Sequence, residues 1–255
     1  MNTKAYSKLR TKYNFDDFTS ANYRRLLNLA KKNFSFIKTD EIKKGMTDKS
    51  IFWRHDVDFS IHRAFKLAQI EHDAHVRTIY FIRLHSEFYN LFEKEIHALV
   101  SAIVSLNHDI GLHFDYTFYK IRNEKELTLH LKYEKNILEK LLGARIRAFS
   151  FHNPTEESYR FGKYRYAGLI NTYSSYFRHS FDYCSDSNGY WRFRRLEDVI
   201  TDKSIHRLHV LTHPEWWQDS VLAPKERIKR SITGRAEKQE IVYDQALKDY
   251  GRQNI

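Results

Sequence analysis

The sequence predicts an α/β protein built from βα units around a parallel sheet. Three observations carry that expectation. Runs of β-forming residues alternate with amphipathic stretches from Ile51 onward, polar residues follow the apolar runs, and 255 residues suffice for one large core. A chain of this length can also close its sheet into a barrel, which gathers its chemistry at the C-terminal strand ends.

Residues up to about 50 read as a helical extension. Thr19 caps a helix carrying Tyr23, Leu26, Leu27 and Ala30, and Gly45 with its polar neighbours breaks the segment. Residues 52–58 read as a strand. Residues 60–72 read as a helix, with Ala64, Leu67, Ala68 and Glu71 at helical spacing. Residues 76–81 are rich in β-formers. A helix is expected over 89–106, with Leu91, Glu95, Leu99 and Ile103 on successive turns, then a short strand over 109–113. The clearest helix covers 123–142 and closes at Gly143. Strands follow at 146–151, 169–173 and 209–212, the last running into His213 and Pro214. Two more helices begin near Pro224 and Ala236. The expected division is an N-terminal extension over 1–50, a barrel over 51–222 and C-terminal helices over 223–255.

Hydrophobic residues make up 42% of the chain, which excludes a disordered protein. The formal charge of +11 points to an acidic partner: nucleic acid, an anionic membrane surface or a phosphate-bearing substrate. Charge is the sole motive for nucleic acid, which is disfavoured; there is no zinc-finger spacing, and 8 glycines argue against a Gly-rich phosphate loop. The single cysteine, Cys184, excludes an intrachain disulfide and fits a reducing compartment. The first residues lack an apolar core of the signal-peptide type, and no apolar run is long enough to span a bilayer. A cytoplasmic protein is expected, with its charge suited to contact at the inner membrane surface.

The most informative stretch is Arg54-His55-Asp56-Val57-Asp58 at the end of the first strong strand. Side chains two apart share a strand face, so Asp56 and Asp58 point the same way. Two carboxylates so placed repel unless a cation or a shared proton offsets them; the bland alternative is a solvated loop in which Asp58 or Ser60 caps the next helix. Later strand ends carry His113 with Asp115, His152, and His213. On parallel neighbouring strands these side chains converge, and Asp with His suits zinc, iron or cobalt.

With these residues in place, the chain resembles a divergent polysaccharide deacetylase (a carbohydrate esterase of the nodulation-type deacetylase homology domain) over about residues 52–217. Asn107-His108-Asp109-Ile110-Gly111-Leu112-His113 is similar to the family's Gly-His-Glu-Ile-Gly-x-His run, and Leu211-Thr212-His213-Pro214 to its late histidine motif. The resemblance implies a distorted (β/α) barrel of about seven strands with helical extensions at both ends. It implies a divalent metal, Zn2+ foremost with Fe2+ or Co2+ as alternatives, and hydrolysis of an N- or O-linked acetyl group from a carbohydrate. The subgroup resembled belongs to surface-polysaccharide (O-antigen or capsule) biosynthesis. The expected substrate is an acetylated sugar, nucleotide- or lipid-diphosphate-linked.

By the resemblance, Asp58, His113 and His152 hold the metal, Asp56 is the general base and His213 the general acid. The chain departs from the family in three places. Val57 splits a normally adjacent Asp-Asp pair, Thr117 stands where the second metal histidine is usual, and Phe151-His152-Asn153-Pro154 lacks the arginine that orients the base. His152 is expected to replace the missing histidine, with Asp115 a fourth ligand or an acceptor from a ligating histidine. His108 is set aside as structural. Arg54 shares the parity of Asp56 and is expected to substitute for the missing arginine, against a salt bridge on the outer barrel face. Arg54, Trp216 and Trp217 are the expected substrate-binding residues, the indoles as a sugar-stacking wall or as barrel packing. The competing function is a catalytically altered module of the same fold that binds an acidic glycan or sugar-phosphate.

Overall fold

The computed structural model describes residues 3–44 and 46–255. In chain order it places α1 (Thr3–Lys12), α2 (Ser20–Asn33), β1 (Ser35–Phe36), β2 (Ser50–Val57), α3 (Ile61–Asp73), β3 (Ile79–Ile82), α4 (Lys94–Ser105) and β4 (Asp109–Phe114). There follow α5 (Glu124–Leu142), β5 (Ala148–Phe151), α6 (Glu156–Tyr159), β6 (Arg165–Tyr166), β7 (Leu169–Asn171), α7 (Ser175–Ser180), β8 (Asp182–Ser185), α8 (Leu196–Thr201), β9 (Arg207–Thr212) and α9 (Pro224–Asp249).

The sheet runs β6-β7-β5-β4-β3-β2-β9-β8, with β1 beside the start of β2. Every pairing is parallel except β6 on β7. The end strands β6 and β8 do not pair, so the sheet is an open half-barrel. Its curl shows in the packing. Inward residues of β2, β3, β5 and β7 (Phe52, Ile79, Phe81, Ala148 and Ile170) meet in one buried cluster with Phe177 of α7 and Phe181. Gly111 is required on β4 because a Cβ there would lie 2.4 Å from the Phe81 ring.

Local signals explain the element ends. Thr19 accepts from the Asn22 amide, Ser60 from that of Arg63, and Asn123 from those of Lys125 and Glu126, each closing a helix start. Gly143 ends α5 at φ 60°, where a side chain would be strained. The N-terminal extension belongs to the main core: Tyr23, Leu26, Leu27 and Ala30 share a buried cluster with Trp53, Val210 and Trp217.

Three expectations change, and three short strands were not foreseen. The C-terminal region is one helix, Pro224–Asp249, because Gly234 has an ordinary φ and helix-formers continue on both sides. Helix α4 begins at Lys94, five residues later than its apolar spacing indicated. Helix α2 ends at Asn33 before extended Phe34, while Gly45, the expected break, lies outside the described residues. Strands β1, β6 and β8 are too short, at 2, 2 and 4 residues, to show alternation. Among the described residues, no helix is long and apolar enough to cross a membrane.

Candidate metal centre and active-site cleft

Strand parity sorts β2 into two faces. Arg54 and Asp56 point into the half-barrel, His55 and Val57 toward the helices, and Asp58 follows the strand at the cleft. Parallel register then brings β4 and β5 alongside, with His113 opposite Ser150. The result is a cleft of about 1070 Å³ lined by Asp56, Asp58, His113, His152, His213 and Trp216, among others.

Ligand-capable atoms of Asp58, His113 and His152 all lie within 4.8 Å of one another. His113 Nε2 is 3.0 Å from Asp58 Oδ1 and 3.2 Å from His152 Nδ1, and His152 Nδ1 is 3.3 Å from Asp58 Oδ1. The far side of His113 decides its tautomer. Ser150 Oγ donates to Asp56 Oδ1 at 3.2 Å, so it accepts from His113 Nδ1–H at 2.7 Å. That leaves Nε2 as the nitrogen His113 turns on the Asp58 carboxylate. One carboxylate and two imidazoles so placed are a donor set that fits a divalent transition metal. The side-chain amide of Asn153 lies 2.9 Å from His152 Nε2 and orients that ring. Burial opposes ionisation of Asp58, yet hydrogen bonds from His113 and His152, with the charges of His113 and His213, hold its carboxyl well below the usual range.

Asp56 sits under this cluster. Arg54 Nη1 donates to both its oxygens, at 2.8 and 3.0 Å. Arg54 is fully buried, lies over the rings of Phe81 and Tyr173, and also donates from Nε to His209 Nε2 at 3.0 Å. It therefore faces inward, not the outer surface. It is absent from the cleft lining, and the expectation that it contacts substrate is corrected: Phe81 and Tyr173 sandwich it beneath Asp56.

His213 approaches from β9, its Nε2 3.9 Å from Asp58 Oδ2. Its Nδ1–H donates to Asp186 Oδ1 at 2.7 Å, and its backbone N–H donates to both Asp186 oxygens at 3.0 Å. Burial alone would lower the imidazole pKa; the charge and hydrogen bond of Asp186, helped by Asp58, raise it to about 10. Trp217 Nε1 donates to the same carboxylate at 2.9 Å. Trp217 is thus corrected from a stacking wall to a buried brace, fully enclosed with Phe18, Tyr23 and Trp191, whereas Trp216 does line the cleft.

Asp115 borders the cleft but stands outside the three-residue cluster. Its carboxylate accepts from Arg83 at 2.9 Å and from the Thr117 hydroxyl and amide at 2.6 and 3.1 Å, bonds that hold its pKa low against burial. No hydrogen bond joins it to either histidine among the described residues.

Three contributors were not read from the sequence. Asp186 follows a four-residue edge strand, Ser150 is an ordinary strand serine, and Glu215 hides behind Pro214. Glu215 is fully buried with neither carboxyl oxygen hydrogen-bonded among the described residues; burial, then the charge of Asp58, pushes its pKa well up.

No family model and no curated protein matches the sequence. Solved structures do. The chain is similar to a CE4 family pseudoenzyme from Bacillus anthracis, at 14% identity and TM-score 0.43, covering 74% of this chain and 60% of that one. It is similar to a family 4 carbohydrate esterase from Bacillus anthracis, at 15% identity and TM-score 0.44, covering 83% and 85%. A third is a family 4 acetyl xylan esterase from Clostridium thermocellum in complex with a cobalt ion, at 10% identity and TM-score 0.43, covering 72% and 84%. These neighbours are carbohydrate esterases and a pseudoenzyme of one family. The chain spans only three fifths of the pseudoenzyme's length.

Proposed function

We propose that this protein is a metal-dependent hydrolase that removes an N- or O-linked acetyl group from a carbohydrate. One observation supports this most: His113 Nε2, a His152 nitrogen and the Asp58 carboxylate converge beside Asp56 and His213 in one cleft. When bound by Asp58, His113 and His152, a divalent cation (Zn2+ foremost, Fe2+ or Co2+ as alternatives) supplies Lewis acidity toward an acyl oxygen and toward water. Asp56, paired with Arg54, takes the proton of the attacking water as it adds to the acyl carbon. His213, kept cationic by Asp186, gives its Nε2 proton to the departing nitrogen or oxygen as the C–N or C–O bond breaks. The products are acetate and a free amine or hydroxyl.

Trp216, Tyr159 and Tyr183 on the cleft wall suit a sugar ring. The charge of +11 favours a phosphate-bearing precursor, nucleotide- or lipid-diphosphate-linked, in bacterial surface-polysaccharide assembly, handled in the cytoplasm or at the inner membrane face. Asp115 serves as support through Arg83, outside the metal's ligand set.

A second reading is a metal-binding module without turnover. It is favoured by Asp56, which is 2% exposed and has both oxygens engaged by Arg54, leaving little room for an attacking water beside it. The test is acetate release from acetylated nucleotide sugars and oligosaccharides by metal-loaded protein. Asp56→Asn is expected to lower kcat by about 10²–10⁴-fold while metal content stays stoichiometric. Bound metal with no acetate released by the wild type across the panel sinks the hydrolase reading in favour of the module.

A further inference from the structure

The open side of the half-barrel, where the β6–β7 end fails to meet β8, holds a second cavity of about 270 Å³. Its walls include Tyr159, Tyr173 and Tyr183, which also line the main cleft, so the two spaces adjoin. Phe177 and Phe181, stacked at 5.1 Å, form its inner wall. The lining is mostly aromatic; Thr172 spends its hydroxyl on the Phe149 carbonyl, and two other polar groups remain.

The first is His209. Arg54 Nε–H donates to its Nε2 at 3.0 Å, so Nε2 carries no proton and the ring proton is on Nδ1. Burial, then the charge of Arg54, keeps this imidazole neutral. His209 is 3% exposed, lines the cavity, and its Nδ1–H has no hydrogen-bond partner among the described residues. That N–H opens on the cavity, where an oxygen of a bound molecule can accept from it. The second group is Arg178. Its guanidinium lies over the Tyr159 ring at 5.5 Å and donates to Ser175 Oγ and the Tyr159 carbonyl. It has no carboxylate partner among the described residues, unlike Arg54 or Arg83.

Aromatic walls, one N–H opening on the cavity and one exposed cation at its edge without a carboxylate partner suit one kind of ligand: a flat-faced ring rich in oxygen acceptors with a negative substituent. We propose that the seam cavity is a second subsite that takes an anionic sugar ring, bearing a carboxylate or a phosphate, stacked among the tyrosines with an oxygen at His209 Nδ1–H and its charge at Arg178. The inference deepens the carbohydrate reading of the cleft and rests on it, the seam sugar being the neighbour or substituent of the acetylated one. Carboxylate and phosphate share the anionic-oxygen chemistry, and separate probes distinguish them.

The experiment is calorimetric titration of the full chain with methyl glucuronide, glucose 1-phosphate and neutral methyl glucoside, with histidine NMR in parallel. At least one anionic probe is expected to bind about tenfold more tightly than the neutral one. Arg178→Gln is expected to erase that preference, and the His209 ring resonance is expected to move on binding. The better anionic probe names the charged group. Equal binding of all three, an undiminished preference in Arg178→Gln, or shifts confined to His113 and His152 overturns the proposal. Acetate release by the wild-type, metal-loaded protein, measured beside probe binding, separates the two readings. Probe binding that survives in a protein releasing no acetate leaves the subsite standing and sinks only the hydrolase; acetate release without anion preference does the reverse.

Discussion

The two faces of β2 carry the same chemistry to opposite ends. Toward the helices, His55 donates into a sealed cluster centred on Glu71. That carboxylate is fully buried and takes Tyr23 and Tyr80 hydroxyls at 2.5 Å each, His55 Nε2 at 2.7 Å and the Thr78 hydroxyl at 2.8 Å. The cluster continues through His55 Nδ1 to Thr212 Oγ1 at 2.8 Å, tying β2 to β9 one residue before Asp56 and one before His213. Toward the cleft, Asp58, His113 and His152 crowd one another, their ligand-capable atoms all within 4.8 Å. Both clusters hold a carboxylate and imidazoles. The sealed one satisfies itself and braces the fold; the open one gathers donor atoms of the kind that suit a cation. Satisfaction, more than residue type, separates structural from functional polar clusters.

That contrast can be broken at either end. The largest effect is expected for Asp58→Asn: stoichiometric metal falls to background by elemental analysis, acetate release is abolished, and the denaturation midpoint of the apoprotein stays in place. Glu71→Ala is expected to do the opposite, leaving buried donors unpaired and costing about 3–5 kcal/mol in urea unfolding. If Glu71→Ala is as stable as wild type, the sealed cluster is no brace.

Acid sharpens the same point. Burial opposes ionisation of Glu71, but His55 and the surrounding donors depress its pKa to about 2, against an ordinary 4.5. A carboxyl depressed in the folded state stabilises above its unfolded pKa and loses that stability as pH falls through the folded value. Roughly 3 kcal/mol is therefore expected to disappear between about pH 4.5 and 2. A Glu71→Gln variant is expected to flatten that limb of the urea-midpoint profile. The smallest effect falls beside the open cluster, at the partner of His213. Asp186→Asn removes the charge that raises His213 to about 10, so the basic limb of kcat is expected to move to lower pH, with about a 10–100-fold loss in rate. An unmoved basic limb removes His213 as the acid.

Much of the site was legible because parallel strands with short polar exits signal where side chains gather. Parity alone put Arg54 with Asp56 and turned His55 away, and the strand ends named Asp58, His113, His152 and His213. What parity cannot report is depth. Arg54 shares the face of Asp56 but is capped by Phe81 from β3 and by Tyr173, the latter 119 positions further along the chain. Trp216 and Trp217 are adjacent, yet one borders the cleft and the other is locked onto Asp186.

The sequence by itself determined the alternation of elements, the inward face of β2 and the residues gathered at the strand ends, because these depend on local period and composition. Only the tertiary structure decided the tautomer of His113, the pairing of His213 with Asp186, the seam left open beside β8 and the unpartnered nitrogen of His209. Each depends on hydrogen-bond partners brought from distant segments, such as Ser150, Asp186 and Arg54, and no local pattern encodes which of a side chain's atoms will meet them.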